Sequence, residues 1–293
     1  MSGKKHSQLL VRYRFARKAI NASRADFVWT AKSRYRMARK ARFKTLRLAV
    51  FNFFKLWIRE IDGLENIPKR GPAIFICNHL SYYDFLIFGS IMRDYIVFLA
   101  QKKINETFFV KWFTRFHNVV YVDKDKPGTT FFKNVIKYLE SKKMLMIYPE
   151  GTRSRSGKML APKPGFVKLA MRANVPIIPV ALKGTYEILP PHRHIPRLRK
   201  CKVVIGKKIY ISPENPDFSD IFFRRKGERK FGNLTDEEMQ EVAIILMNKI
   251  RMWSEQEWDG SAREEINKLT TNVVARSPEG ATKQSPIIIT KSI

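Results

Sequence analysis

The sequence predicts an α/β protein whose sheet is mostly parallel or mixed and is flanked by helices. Two observations carry this. Apolar runs of strand length recur through the middle of the chain, and apolar residues at helical spacing lie between them. Strands alternating with helices build a sheet covered on both faces. A third observation adds an appendage: the N-terminus is basic, nearly free of acid and amphipathic, which predicts a helical segment ahead of the core.

The elements follow in order. Residues 1 to 59 hold seventeen Lys or Arg and one acidic residue, Asp26. Leu9, Tyr13, Ala16 and Ile20 share a helical face among Arg12, Arg14, Arg17 and Lys18. A denser apolar segment follows, from Leu46 through Phe51, Phe53, Phe54, Leu56 and Trp57 to Ile58. Its length suits a helix lying in a membrane interface rather than crossing it. An organelle transit peptide and a nucleic-acid-binding arm share the same composition.

After a polar connector from Gly63 to Gly71, Ala73 to Cys77 reads as a buried strand, and Phe85 to Phe88 begins a helix. Tyr95 to Ala100 is a strand; Phe108, Trp112 and Phe116 share a helical face; residues 119–123 form the next strand. Phe132, Val135, Ile136 and Leu139 lead helically into a strand over 144–148. Phe166, Leu169 and Ala170 mark a helix before a strand at 177–182, and Cys201 to Ile211 reads as a strand or hairpin closing the core. Thr235 with Glu238 is a capping box, followed by Met239, Val242, Ala243, Leu246, Ile250 and Trp253 at helical spacing. This reads as a packing helix without a catalytic role. The expected organisation is membrane-associating helices over 1–60, a core over 61–212, a helical extension over 213–258 and a flexible tail over 259–293.

Charge narrows the partners. Lys and Arg total 56 against 26 Asp and Glu, a formal net charge of +30. That excess fits a polyanion: nucleic acid, an anionic membrane surface or an acidic carrier protein. The two cysteines, Cys77 and Cys201, offer neither a disulfide framework nor metal-ligand spacing, so they read as buried packing thiols in a reducing compartment. No apolar run approaches the roughly 18–20 residues that span a bilayer as a helix. A protein of this kind that meets a membrane lies on it.

Two stretches carry chemistry. In Cys77-Asn78-His79-Leu80-Ser81-Tyr82-Tyr83-Asp84, a strand runs into a helix, and Ser81 with Asp84 has capping-box spacing. At such a turn Asp84 can reach back to the His79 ring. It would then fix the tautomer and leave the other ring nitrogen as a base. The bland reading is that Ser81 and Asp84 only cap the helix and His79 is a loop residue. The second stretch, Tyr148-Pro149-Glu150-Gly151-Thr152-Arg153-Ser154, follows the apolar run Met144 to Ile147. Backbone amides, a hydroxyl and a guanidinium gathered at one strand end suit a phosphate or another anion.

In this order, Asn-His-x4-Asp followed by Pro-Glu-Gly-Thr-Arg resembles the glycerolipid acyltransferase family, which includes the lysophosphatidate (1-acylglycerol-3-phosphate) acyltransferases. Val119 to Lys124 and Val175 to Val180 are similar to two further blocks of that family, and the resemblance covers roughly residues 60 to 212. It implies transfer of an acyl group from a thioester, on acyl-CoA or acyl carrier protein, to the free hydroxyl of lysophosphatidate. His79 would be the general base and Asp84 its orienting carboxylate, with no acyl-enzyme. Asn78, Glu150, Gly151, Thr152 and Arg153 would serve the substrate, with Arg153 pairing with the phosphate and Glu150 positioning Arg153 or a loop amide. Asp123 and Lys124 would serve the substrate too, although the pair departs from the family pattern, in which Arg usually follows the Asp, and Lys supplies a charge without a fork; the bland reading is a charged strand end facing water. The 175–180 block reads as core strand rather than chemistry, and the alternative is that its prolines shape the acyl pocket. No cofactor is implied. His192-Arg193-His194 lacks a Cys or carboxylate at ligand spacing, so no metal is assigned.

The resemblance further implies a peripheral or monotopic protein on the cytoplasmic face of a membrane. Two alternatives stay open: another acceptor, such as glycerol 3-phosphate or a different lysophospholipid, and a non-catalytic nucleic-acid-binding protein on this core. Aromatic residues clustered as an apolar segment over 43–58, rather than scattered as stacking platforms, weigh against the latter.

Overall fold

The structure, a computed structural model, describes residues 49, 52–92, 96–101, 118–122, 129–193, 195–223 and 234–275. The basic helices expected over 1–48, the Phe108, Trp112 and Phe116 face, His194 and the Asp123-Lys124 pair lie outside these residues.

Seven strands form one mixed sheet: β1 (Ile58–Asp62), β2 (Ala73–Cys77), β3 (Ile96–Gln101), β4 (Asn118–Val122), β5 (Met144–Ile147), β6 (Ile177–Lys183) and β7 (Cys201–Ile205). Their spatial order is β1-β7-β6-β2-β5-β3-β4. All neighbours are parallel except β6 and β7. The sequence of each strand matches its place. At the centre, β2 and β5 are apolar at every position and wholly buried, because helices cover both faces. Near one edge, β7 alternates buried and half-buried residues, as expected of a strand with only one face covered.

The alternation within β2 sorts the two layers. Ile74 and Ile76 join a core with residues of α2 (Thr129–Glu140), α3 (Gly165–Ala173) and a later helix, Asp236–Ser254. Phe75, pointing the other way, meets Phe88 of α1 (Tyr83–Ile91) with ring centroids 5.2 Å apart. The helices α4 (Thr185–Ile188) and α5 (Ser219–Phe223) are short. The helix Asp236–Ser254 is α6, which packs on β6. Its capping box forms as expected: Glu238 N–H donates to Thr235 Oγ1 at 3.2 Å and Thr235 N–H to Glu238 Oε2 at 2.7 Å. Met239, Val242, Ala243, Leu246 and Ile250 are its buried stripe. Cys77 and Cys201 are free, buried thiols.

Three expectations change. The sheet starts before residue 61, because Ile58 to Asp62 pairs with β7, so Ile58 is a strand residue and the connector follows the first strand. Phe54 and Trp57 are buried against Tyr83 of α1, with centroids at 5.7 Å in both cases, and belong to the core rather than to an interfacial helix. The expected flexible tail opens instead as α7 (Gly260–Ala275). Ala262 and Ile266 are buried and Leu269 is half-buried, a sparse stripe at one-turn spacing among polar residues. No helix among the described residues is long and apolar enough to cross a membrane.

Candidate functional site

Because β2 and β5 are parallel neighbours, the loops leaving their C-terminal ends emerge side by side. The crevice outside the strand ends is where open α/β sheets bind ligands. The two loops are the two motif stretches. The His79 ring stacks on Tyr148 at 4.1 Å with 21° between the planes. The Ser154 amide donates to the His79 carbonyl at 2.9 Å.

Asp84, in the first turn of α1, is fully buried. Its Oδ2 collects three donors: His79 Nδ1–H at 2.8 Å, Leu80 N–H at 2.7 Å and Ser81 N–H at 2.8 Å. A carboxylate oxygen can only accept, so the ring proton sits on Nδ1 and Nε2 keeps its lone pair. Nε2 takes no partner among the described residues, and the His79 side chain is 15% exposed. The ring thus keeps one free acceptor, Nε2, on a side chain that solvent partly reaches. The expected capping box forms only in part, since Tyr82 is the N-cap residue and Asp84 takes the Ser81 amide. The Ser81 hydroxyl accepts from the Tyr83 amide at 3.0 Å and donates to Leu189 O at 2.6 Å. One carboxylate therefore does both jobs: it ties down the helix start and orients the imidazole.

Glu150 is 3% exposed and holds backbone, not Arg153. Its Oε1 accepts the His79 amide at 2.7 Å and its Oε2 the Leu160 amide at 2.9 Å. Burial pushes its carboxyl up to about 8; the two amides oppose that shift and the charge of Asp84 adds to it. Burial also raises the Tyr148 phenol and the Cys77 thiol well above their usual ranges, so both stay neutral beside His79.

Asn78, expected to meet substrate, is wholly buried and committed elsewhere. Its amide grips Leu182 of β6 at both ends: Nδ2–H donates to Leu182 O, and Oδ1 accepts Leu182 N–H, each at 2.8 Å. Nδ2–H also donates to Gln256 Oε1 at 2.6 Å. Gln256 arrives because α6 ends at Glu255 in the left-handed conformation, φ 54 and ψ 36, with the Gln256 amide closing on Arg251 O. Its Nε2–H then reaches Gly157 O at 2.9 Å. Thus α6 packs as expected, but the residue just past its end braces both motif loops. Nothing in the local sequence around Gln256 announces this.

The anion-binding stretch divides. Gly151 holds φ +70 and donates its amide to Tyr148 O at 3.0 Å, so it shapes the turn instead of offering a donor to a ligand. A Cβ there would come within 3.4 Å of Lys163 Cε, which places the Lys163 stem over the turn. Thr152 is exposed. The Arg153 guanidinium lies 3.4 Å over the Tyr82 ring, on the same turn as His79. Its Nη1 is buried without a hydrogen-bond partner among the described residues. Burial lowers its pKa, yet a guanidinium stays charged. Tyr82, Tyr148, Lys163 and Gln256 are site residues that sequence reasoning did not single out. Pro176 and Pro179 lie half-buried and buried at β6.

Comparison with known proteins bears on this geometry. Residues 58–183 match a family model described as Acyltransferase. A chloroplastic 1-acyl-sn-glycerol-3-phosphate acyltransferase of Brassica napus is 28% identical over 167 residues, 56% of this chain and 47% of the relative. The enzyme of that name from Saccharomyces cerevisiae is 31% identical over 137 residues, 45% of each chain. Its Bacillus subtilis namesake is 28% identical over 154 residues, 52% of this chain and 73% of the relative. This chain spans about half the length of the first two. Among solved structures, the 1-acyl-sn-glycerophosphate (LPA) acyltransferase PlsC of Thermotoga maritima shares the fold. Its TM-score is 0.53 at 24% identity, over 74% of this chain and 82% of that one. The chain is similar to lysophosphatidate acyltransferases, as its motifs indicated, and the names of these relatives denote acyl transfer.

Glu150 gives the site a measurable signature. An unfolded Glu ionises near 4.5, whereas folded Glu150 holds its proton to about 8. Between these values the native state binds more protons, so this contribution is complete below about pH 4.5 and is lost as pH rises to about 8. Urea midpoints measured from about pH 5 to about pH 8.5 should fall more in the wild type than in Glu150→Gln. Parallel pH trends in the two proteins would contradict the assignment.

Proposed function

We propose that this chain is a membrane-surface O-acyltransferase. It moves a fatty acyl group from the thioester of acyl-CoA or acyl carrier protein to the free hydroxyl of lysophosphatidate, forming phosphatidate on the cytoplasmic face. The observation that carries the reading is His79: Nδ1 is held by Asp84 at 2.8 Å, Nε2 has no hydrogen-bond partner among the described residues, and the side chain is partly exposed. The matching family and the relatives' names support the substrate class.

An alcohol is a weak nucleophile near neutral pH, so a base must take its proton as it attacks. His79 Nε2 accepts that proton while the hydroxyl oxygen bonds to the thioester carbonyl carbon. The positive charge gained by the ring is met by buried Asp84, whose Oδ1 has no hydrogen bond among the described residues. The tetrahedral intermediate then expels the thiolate, and Nε2 returns the proton to it. The products are the ester and the free thiol, and no enzyme side chain is acylated. Arg153, steadied on Tyr82, supplies the fork for the acceptor's phosphate. Thr152 and Lys163 border the same turn.

The test is thiol release from acyl-CoA and acyl carrier protein by purified protein, with and without lysophosphatidate. Release should require the acceptor, and His79→Ala should lower kcat by about a thousandfold. Acceptor-independent release, or full activity in the variant, would contradict the reading. Arg153→Ala should raise the acceptor KM about ten- to a hundredfold with little change in the donor KM. An unchanged acceptor KM would remove the phosphate assignment.

Gln256→Ala frees one side of Asn78 behind the base. It should lower kcat about tenfold while both KM values and the melting temperature hold. A KM effect alone, or a loss that tracks melting, would reduce Gln256 to ordinary packing.

A further inference from the structure

A second basic segment lies far in sequence from the N-terminus. From Ile188 to Pro213 the chain has no Asp or Glu, yet it contains Arg193, Arg197, Arg199 and Lys200 in its first half. All four are exposed. Among them stand two bare apolar side chains, Ile195 at 79% and Leu198 at 93% exposure. One exposed leucine is ordinary; an apolar pair ringed by cations and joined to a second apolar pair is not.

The second pair is Phe53 and Leu56, 54% and 61% exposed. Hydrogen bonds fasten the two segments together across about 140 positions of sequence. Trp57 Nε1–H donates to Arg197 O at 3.1 Å, Cys201 N–H to Trp57 O at 2.8 Å, and the Lys200 ammonium to Leu56 O. The Phe53 ring meets Trp57 edge-on at 5.1 Å. The loop is also tied to the catalytic turn. Arg197 N–H donates to Ile188 O at 2.8 Å, and the next carbonyl, Leu189 O, accepts the Ser81 hydroxyl.

We infer that residues 188–193 and 195–200, together with Phe53 and Leu56, form a docking surface for an anionic phospholipid bilayer, with Ile195 and Leu198 inserted among the lipids. Guanidinium and ammonium groups around protruding aliphatic side chains complement a partner that sets phosphates just above hydrocarbon. Nucleic acid offers phosphates without hydrocarbon, and an acidic protein offers carboxylates without a medium for two isolated aliphatic tips. The inference rests on the membrane-surface reading above and gives it a place. Through Trp57, Tyr83 and Ser81, the same surface abuts the helix and turn that carry Asp84 and His79. Docking here sets the crevice at the interface from which a lysolipid hydroxyl must come.

The test compares the full chain with Ile195→Asp/Leu198→Asp in sedimentation with vesicles of phosphatidylcholine, alone and mixed with phosphatidylglycerol. Binding to the anionic vesicles should fall about tenfold or more, since two aliphatic side chains leave the lipid. Transfer to a short-chain, monomeric lysophosphatidate should keep its kcat. Unchanged vesicle binding overturns the surface. Retained vesicle binding with weakened binding of DNA or acyl carrier protein assigns it to another partner and also overturns it. Failure of even the wild type to acylate the monomeric acceptor, with vesicle binding still dependent on the two residues, would instead remove the enzymatic reading and leave the surface standing. Leu198→Trp guards against a misfolded double variant. Its added fluorescence should be quenched by brominated lipid in anionic vesicles, and absence of quenching overturns the proposal.

Discussion

One oxygen atom organises the site. Asp84 Oδ2 accepts the His79 ring proton and the amides of Leu80 and Ser81, all between 2.7 and 2.8 Å. Two of these bonds bend the chain from β2 into α1, and the third fixes which imidazole nitrogen is free. Because the carboxylate is fully buried, it depends on those donors to compensate its charge. Turn geometry and ring tautomer are therefore a single arrangement. The rest of the fold brings support to it.

That support comes from each side of β2. From β5, Glu150 holds the His79 amide and Tyr148 backs the ring. From β6, Leu182 pairs with both ends of the Asn78 amide. From beyond α6, Gln256 closes the far side of Asn78 and crosses to Gly157. Each contact holds backbone or fixes a plane, and none occupies Nε2. Under the proposed mechanism, such preorganisation would let a base at Nε2 act without rearranging as charge develops.

Much of this was legible in the sequence. The strand and helix alternation gave the α/β layers because β2, β5 and β6 are apolar at nearly every position, as strands covered on both faces must be. His79 and Asp84 were legible because a local turn brings them together. The competing capping reading holds only in part: Asp84 takes the Ser81 amide, but Tyr82 is the N-cap residue and the same carboxylate also holds His79. The roles of Asn78 and Gly151 were not, and of the two roles read for Glu150 only the hold on loop amides stands. Polar residues beside a catalytic histidine look like ligand contacts until their partners are known, and those partners, Leu182, Leu160 and Tyr148 O, are backbone groups that carry no residue signature. Phe54 and Trp57 were assigned to a membrane interface because an aromatic run reads the same against lipid as against Tyr83. The helix α7 was hidden because three apolar residues at one-turn spacing suffice when a finished core is there to receive them.

In the proposed mechanism the charge of Asp84 drives proton transfer through His79, and Asp84→Asn removes that charge. With its amide oxygen in the place of Oδ2, asparagine can keep all three hydrogen bonds, so turn and tautomer survive while the charge is lost. In this variant kcat for acyl transfer to lysophosphatidate should fall about a hundredfold or more with both KM values unchanged. A variant that turns over at the wild-type rate would contradict it.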